Sequence, residues 1–528
     1  MNEMVSSPTK AKVSLGPDEA VGLWLQGKEV WNKWVEENPV ADVSFSNVDF
    51  NSHCKGLGPV DFSGFFFPFG KVSFEGSTFN NRQMKRSVHF TMTKFGKSEV
   101  SFYGARFGNG HVDFSGAQFG GEGVTFERSK FGKGDISFYN AQFGNGNVSF
   151  EKTIFGEGNV SFDGAEFGEG EISFLMAQFG NGRVSFEEVI FGRGNIDFYE
   201  VDFGNGNVSF RNAKFGEGNV VFIGAKFGEG DVSFNKVHFY NKHLVFDNAK
   251  FSEGELCFSG TLIYSKFVSF AGAEFKGELN FSPEYVNKGY YTFEDIDCYQ
   301  RVNFTSLWGD QKIIFLSFRF SNFNKSFRLA GSFNCIPDLT HTKVSHKVTV
   351  HGLRCNLKRS GFFRKAEDPE DEARLRRLKD IAEDNKDHES ALAFHANEMR
   401  ARRWHNAGFW ASILDLLFDK TSNYGQSVYL PSMWLLGLNL WVILLFYIPW
   451  PSTLEKVGEA FKLSAINTFP FISGAKDIRS NSIQELFCSA GTSPLTCTTP
   501  DAVFIIQGLL SFIFLFLIGL GLRNRFRI

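Results

Sequence analysis

The chain has no marked excess of either charge and few cysteines. Its 528 residues include 55 Lys and Arg against 58 Asp and Glu, for a formal net charge of −3. The basic stripe of a nucleic-acid-binding protein is therefore lacking, and we expect no nucleic-acid partner. The seven cysteines form no CxxC pair, and no His/Cys cluster has zinc spacing. With no nucleophile beside a base, no acid pair and no phosphate-binding loop, the sequence predicts no enzyme, no cofactor and no metal site.

The N-terminal residues Met1 to Lys10 are polar and lack the apolar core of a cleaved signal peptide, so no signal peptide is expected.

The most abundant residue of the chain is phenylalanine, with 65 residues. From Phe95 to Phe275 a 12-residue phrase recurs, of which Ala165 to Met176 is one copy. A short fixed period predicts stacked, near-identical structural units.

Each copy of the repeat contains two pairs of core residues. Ala165 and Phe167 are two apart, as are Ile172 and Phe174, and extended backbone places such pairs on one face. The Gly-x-Gly spacer of each repeat is expected at a corner, where glycine permits a positive φ; examples are Gly108/Gly110, Gly144/Gly146 and Gly180/Gly182. Two glycines in every repeat would cost a helix roughly 2 kcal/mol. The sequence therefore predicts a mainly β solenoid of short parallel strands, filled by phenylalanine ladders.

This pattern resembles the pentapeptide-repeat family, whose units place a small residue two positions before a central Phe or Leu. The resemblance implies a right-handed parallel β-helix in which two 12-residue repeats make one coil of about 24 residues. The phrase from Trp31 to Pro39 is similar to the helix that caps such coils. We therefore expect a capping helix in 1–40, the solenoid in 41–275 and degenerate terminal coils in 276–365. Some members of the family mimic DNA and bind topoisomerases; here Lys and Arg alternate with Glu on the outward positions, which favours a binding rod.

A change in composition follows the coils. Residues 366–405 are rich in Glu, Lys, Arg and Ala and predict a helical hairpin that turns near Asp384. Its residues His395 and Glu398 are interpreted as a polar helix face rather than a metal site. Residues 406–428 contain the apolar run from Phe409 to Phe418, which is too short to cross a bilayer and is expected to lie along its interface.

The C-terminal region 429–528 contains two uncharged apolar stretches, about Pro431 to Trp450 and Ala502 to Leu522, each long enough to span a bilayer. Lys and Arg flank the start of the first and the end of the second, which predicts cytoplasmic N- and C-termini and an outer loop at 451–501. Tyr447 is expected at the membrane interface. Within the outer loop, Cys488 and Cys497 are candidates for a disulfide.

The arrangement of span, loop and span is that of two-helix ion channels. Polar Asn439 and Gln507 lie within the spans, where amides mark either helix packing or a conduction pathway. A candidate pore or re-entrant loop contains six residues: Ser464, Asn467, Thr468, Phe469, Pro470 and Phe471. A Thr-Val-Gly-Tyr-Gly filter is lacking, so a potassium filter of carbonyl rings is not supported.

The segment Ser422 to Ser427 and the closing Gly521 to Arg527 are similar to those of bacterial pentapeptide-repeat membrane proteins with an ion-channel-like region. That resemblance implies a location in the bacterial inner membrane, within the lipid bilayer. We expect a homo-oligomer assembled through the transmembrane helices and a protein partner on the solenoid. Three hypotheses remain. The first is a binding or sensing scaffold that gates an oligomeric pore, and its alternative is a static membrane-tethered scaffold without conductance. A DNA-mimicking topoisomerase binder is a second alternative.

Overall fold

A computed structural model describes residues 13–54, 58–80, 86–305, 313–448, 453–488 and 500–526. The chain divides into two compact units, Met1–Leu357 with Asp380–Ser390, and Lys358–Lys379 with Ala391–Ile528. The first unit is a parallel β-solenoid, and the second is mostly helical. This confirms the predicted fold class: mainly β, followed by C-terminal helices of which two are apolar.

The solenoid coils are in register, and within the regular repeat each coil takes 24 residues. Ile136 lies beside Val160, and Ile172 beside Ile196. The first coils are longer, since Val72 pairs with Val100. The later coils vary in length, and the last strand of the stack ends at Cys355.

Four faces of strands run along the stack. One long sheet contains Ser14–Leu15, Asp42–Ser44, Val72–Ser73, Val100–Ser101, Gly123–Thr125, Asn147–Ser149, Ile172–Ser173, Ile196–Asp197, Val220–Val221, His243–Val245, Phe267–Ser269, Tyr290–Thr292 and Phe315–Ser317. The other long sheet contains Val60–Asp61, Val88–His89, Val112–Asp113, Ile136–Ser137, Val160–Ser161, Val184–Ser185, Val208–Ser209, Val232–Ser233, Leu256–Cys257, Leu279–Phe281, Val302–Thr305, Phe327–Phe333, Val348–Thr349 and Leu353–Cys355.

Shorter sheets, joined by single bridges, form the two remaining faces. One of these faces contains Arg106–Gly108, Lys130–Phe131, Ile154–Gly156, Gln178–Phe179, Lys226–Phe227, Lys250–Phe251, Glu274–Phe275, Asp297–Cys298, Asn322–Phe323 and Lys343–Val344. The opposite face contains Gln142–Phe143, Glu166–Phe167, Lys214–Phe215, His238–Phe239, Leu262–Ile263 and Tyr285–Val286.

Phenylalanine ladders fill the interior of the coils. Phe102 and Phe126 are parallel within 2° with ring centroids 4.7 Å apart, because in-register strands repeat at about that spacing. Phe114, on the next ladder, meets Phe102 edge to face at 5.6 Å. All three side chains are fully buried. Both arrangements are those that aromatic rings prefer, so stacking adds to the stability of every coil.

The glycine corners have two causes. Gly108, Gly156 and Gly204 adopt the expected positive φ, at 79°, 73° and 66°, whereas Gly170 does not. Met176 and Lys152, each two residues after the second phenylalanine of a repeat, also have a positive φ, of 54°. A Cβ on Gly170 would instead overlap the carbonyl group of Gly146 in the preceding coil. The expectation of a positive φ is therefore wrong at Gly170, where glycine is required because the backbones of successive coils approach each other closely.

Helices cover the N-terminal end of the stack. The segment expected as one capping helix contains the strand Ser14–Leu15 and two helices, α1 (Pro17–Trp24) and α2 (Lys28–Glu37). The buried indole of Trp31 stacks on Phe45 at 5.8 Å and donates a hydrogen bond to the carbonyl oxygen of Phe66 at 2.6 Å. A short helix α3 (Phe50–His53) lies within the first coil. The aromatic side chains of α1 and α2 thus cover the apolar end that every solenoid must close.

After the coils come an antiparallel β-hairpin, Arg359–Ser360 with Lys365–Ala366, and seven helices along the described ranges. These are α4 (Asp371–Asp384), α5 (His388–Arg402), α6 (Phe409–Ser422), α7 (Tyr429–Val442), α8 (Leu454–Thr468), α9 (Ala475–Phe487) and α10 (Asp501–Phe526). A π-helical turn, Ile443–Tyr447, continues α7.

Candidate functional site

Two helices of the second unit are long and apolar enough to cross a bilayer. Helix α7 with its π-helical turn has 19 residues and a mean hydropathy of 1.7, and α10 has 26 residues and a mean hydropathy of 2.6. Only 22% and 28% of their most apolar windows are buried. A core helix of a soluble protein would be mostly covered, whereas Leu444 and Ile505 are among many exposed apolar side chains here.

A group of polar side chains, all buried except the half-buried Asn439, joins these two helices to α8. We call this group the polar cluster: Asn439, Tyr447, Ser464, Asn467, Thr468, Gln507 and Ser511. At its centre is Gln507, which is fully buried. The Gln507 amide nitrogen donates to Asn439 Oδ1 at 3.1 Å and to Ser464 Oγ at 2.8 Å. The Gln507 amide oxygen accepts from the Tyr447 hydroxyl at 2.6 Å and from Asn467 Nδ2 at 2.9 Å.

Further hydrogen bonds fix the end of α8 against both helices. Thr468 donates to Asn439 Oδ1 at 2.9 Å and lies 3.3 Å from the Ser511 hydroxyl. Asn467 also donates to the carbonyl oxygen of Phe504 at 2.9 Å. Hydrogen bonds of this kind are strong in low-dielectric surroundings, provided that every member of the network is satisfied. The structure therefore brings together Asn439, Gln507 and three of the six candidate loop residues.

The π-helical turn supplies Tyr447, whose part in the cluster was not predicted. Its side chain is buried and packs 5.4 Å from the ring of Phe504, while its depth at the membrane interface stays a prediction. The extra residue in the turn rotates the chain relative to a regular helix. Ser511 was also missed, although its position four residues after Gln507 on one helix face was a signal in the sequence.

The other three candidate loop residues lie in the turn after α8 and take no part in the cluster. Phe469 and Phe471 contact each other edge to face at 5.9 Å, and Phe471 is 77% exposed. Pro470 between them is also exposed. Cys488 is disulfide-bonded, while Cys497 lies outside the described residues, so their pairing stays a prediction.

Helices α8 and α9 pack against each other as an antiparallel pair. Ser482 donates to Glu459 Oε2 at 2.7 Å, and Ser482 is fully buried. Ala475 and Leu486 share the buried side of α9 with Ser482. The opposite side is exposed and polar, and it contains Asp477, Ser480, Asn481 and Gln484.

Glu398 on α5 is held by ionic contacts. Its carboxylate accepts from Arg376 Nε and Lys379 Nζ, both at 2.9 Å, and lies 3.6 Å from His395 Nδ1. Burial alone would raise the pKa of Glu398, but hydrogen bonds from His395, Lys379 and Arg376 outweigh it and lower that pKa to about 2. Within the described ranges, no group of three or more His, Cys, Asp or Glu residues could hold a metal ion.

No family model, curated protein or solved structure matches the chain. The chain is therefore characterised by its architecture. A parallel β-solenoid is followed by a helical region in which two apolar helices and α8 share one polar cluster.

Proposed function

We propose that this protein is a membrane-anchored repeat scaffold whose helical region assembles from several copies into a channel-like pore. The observation that carries the proposal is the polar cluster, since it holds the end of α8 against the middle of both apolar helices. A plain helix-pair anchor needs no such third helix. A re-entrant segment is tolerated at membrane depth where it is buried in protein or lines a water-filled cavity, as in a pore.

The positions of the hydrogen-bonded residues support a re-entrant α8. Asn439 lies ten residues after Tyr429, and Ser511 lies ten residues after Asp501, which is about 15 Å along each helix. The hydrocarbon core of a bilayer is about 30 Å thick, so both residues would lie near its middle. Thr468 is hydrogen-bonded to Asn439 and close to Ser511, and the C-terminal end of α8 would share that depth.

Helix α9 would then return from the middle of the membrane with a polar side uncovered. A charged residue such as Asp477 at that depth is stable only where it faces water or protein. A ring of identical copies would enclose water between the exposed sides of α9, with Ser480 among the lining residues. The exposed Phe471 and Ile472, in the turn, would form an apolar constriction.

Orientation follows from charge. Arg400, Arg402 and Arg403 precede the first span, and Arg523 and Arg525 end the second, so the positive-inside rule puts both flanks in the cytoplasm. By resemblance the membrane is the bacterial inner membrane. A cytoplasmic protein that binds the solenoid would bias the pore between closed and open packing. We propose no enzymatic activity and no nucleic-acid partner, since cations such as Arg193 lie between Glu169 and Glu217 on the solenoid surface.

Single-channel recording of the full-length protein in planar bilayers tests the pore. Ser480→Trp places a large side chain on the exposed side of α9 and is expected to reduce the unitary conductance. Ile505→Trp is the matched control, because Ile505 is exposed on α10 and would face lipid. We expect the control to conduct like the unaltered protein.

Two results would contradict the proposal in different ways. Currents that persist unchanged in Ser480→Trp would mean that α9 does not line the pore. Silence from protein shown to be inserted and oligomeric would reject conduction and leave the static scaffold, which the same solenoid and apolar helices also support.

A further inference from the structure

A cavity of about 790 Å³ lies wholly within the second unit, away from the polar cluster. Its walls come from the β-hairpin that begins at Arg359, from the end of α5, from α6 and from the start of α7. Its volume is that of a site for a small molecule or a lipid headgroup.

The cavity walls carry more positive than negative charge. Its five cationic residues are Arg359, Arg364, Arg400, Arg403 and Lys420. Asp419 accepts from Arg400 at 2.7 Å and from Arg403 at 3.0 Å, and Asp415 pairs with Arg403 at 2.6 Å. Across the described residues, Arg359, Arg364 and Lys420 have no carboxylate partner within 4 Å. The walls therefore lack the negative charge that would balance them.

The electrostatic surroundings of Arg359 agree with this imbalance. Burial, together with the neighbouring guanidinium groups of Arg400 and Arg364, lowers the pKa of Arg359. Like charges held close together in a half-buried place destabilise one another, and a bound anion would relieve the repulsion.

An apolar wall adjoins the cationic one. Rings follow one another from Phe362 to Phe363 at 5.3 Å, to Trp404 at 5.1 Å, to Phe409 at 6.1 Å and to Trp410 at 5.5 Å. Phe362 and Trp410 are 95% and 76% exposed. Free phosphate needs no such surface, whereas the acyl chain of a lipid does, and exposed aromatic rings are typical of residues at a membrane interface.

The cavity also lies at the level where a bilayer would end. Leu430, in the first turn of α7, is part of its wall. Asn524, in the last turn of α10, donates to the carbonyl oxygen of Gly425 at 3.0 Å, two residues after the lining residue Asn423. Helix α6, which forms another wall of the cavity, exposes Trp410 and Leu414 and would lie along the membrane interface.

We infer that this cavity binds an anionic phospholipid, with the phosphate against Arg359 and Arg364 and an acyl chain along Phe409 and Leu416. Guanidinium groups suit phosphate oxygens because they form charge-assisted hydrogen bonds. Basic pockets beside membrane helices are where lipid headgroups bind. This binding does not depend on whether the protein conducts ions.

The test uses the full-length protein in micelles of a zwitterionic detergent, titrated with dihexanoyl phosphatidylglycerol, dihexanoyl phosphatidylcholine or inorganic phosphate. Binding to the folded state raises the unfolding midpoint by an amount that grows with the logarithm of the ligand concentration divided by Kd. We expect the phosphatidylglycerol to raise the midpoint, the phosphatidylcholine to leave it unchanged, and inorganic phosphate to act only at much higher concentration.

Variants locate the binding. Arg359→Gln combined with Arg364→Gln is expected to weaken phosphatidylglycerol binding by about tenfold or more, because each removes a charged hydrogen-bond donor. Lys420→Gln changes an exposed side chain on α6 and gives a second variant should the first fail to fold. Arg525→Gln is the control: it removes a charge from the last turn of α10, outside the cavity, and is expected to change binding less than about twofold.

Each other outcome overturns part of the inference. Equal stabilisation by both lipids would reject an anion-selective site. Equal stabilisation by inorganic phosphate would assign the cavity to a soluble phosphate rather than to a lipid. Equal loss of binding in Arg525→Gln would mean that diffuse surface charge, not the cavity, attracts the lipid.

Discussion

Gln507→Leu is the substitution that tests the polar cluster most directly. It keeps the size of the side chain and removes the amide that links α10 to Asn439, Tyr447, Ser464 and Asn467. Four hydrogen bonds of 2.6–3.1 Å are lost. At about 0.6 kcal/mol for each hydrogen bond between membrane helices, the cluster loses about 2–3 kcal/mol.

Hydrogen exchange at α8, measured by mass spectrometry on the full-length protein in micelles, reports this loss of free energy. Backbone amides in 454–468 exchange when the helix opens locally, at a rate set by the free energy of that opening. A loss of about 2–3 kcal/mol corresponds to exchange that is roughly 30- to 150-fold faster. Peptides from the solenoid serve as an internal reference, since the substitution lies far from them in the chain.

Gln484→Leu is the matched control, because it makes the same chemical change on the exposed side of α9. Gln484 has no side-chain hydrogen bond within the described part of the chain. We expect exchange in α8 to stay within about twofold of the unaltered protein. The double variant Gln507→Leu with Asn439→Leu should lose less free energy of local opening than the two single variants added together. Each single change leaves the other amide without its partner, whereas the double change removes both amides. Unchanged protection of α8 in Gln507→Leu would refute the role given to the cluster.

Three further predictions concern stability. Phe174→Ala opens a cavity among stacked rings and should lower the free energy of unfolding by about 3–5 kcal/mol, seen as faster hydrogen exchange in neighbouring coils. Tyr139→Ala, at an exposed position, should lower it by under about 0.5 kcal/mol. Equal losses in the two variants would contradict packing of the rings in ladders. Gly170→Ala should lower the thermal midpoint of the solenoid. Gly121→Ala should not, because the Cβ would lie 3.9 Å from the nearest atom, the carbonyl oxygen of Lys97. Equal thermal midpoints for the two variants would reject close contact between coils at Gly170. Because the folded pKa of Glu398 is depressed to about 2, its contribution is present above about pH 4.5 and is lost as pH falls towards 2. After allowance for screening we expect Glu398→Gln to lower the free energy of unfolding by about 1–2 kcal/mol at pH 7. Denaturation curves at pH 3 should show a smaller difference between the variant and the unaltered protein. A difference that does not depend on pH would contradict the depressed pKa of Glu398.

The solenoid could be predicted from the sequence because its contacts repeat. Within the regular repeat a residue such as Ile136 meets the residue 24 positions later, so one period fixes the strand pairings and ring stacks there. The reason for Gly170 was missed because local conformation was considered and contact between coils was not. The spacing of 24 between Gly146 and Gly170 already placed one corner above another.

The helical region could be predicted only in part, because its contacts occur once. Asn439 and Gln507 stand out in apolar stretches, but nothing in the sequence pairs them with Ser464. The hydrogen bond between Tyr447 and Gln507 was missed, since a π-helical turn is not visible in a hydropathy pattern. The cavity was missed because Arg359, assigned to the terminal coils, lies in a β-hairpin that forms one wall of it.

The distribution of polar groups in the helical region is itself an argument for a bilayer. In a soluble protein, exposed positions are mostly polar and buried ones mostly apolar. Here Leu444 and Ile505 are exposed, while Gln507 and Ser511 are fully buried. Water would reverse this arrangement, since exposed apolar area is unfavourable and buried amides lose their solvation. In lipid the same arrangement is the stable one, because amides that find no water must bind one another. The polar cluster therefore supports a membrane location independently of the length and hydropathy of the two helices.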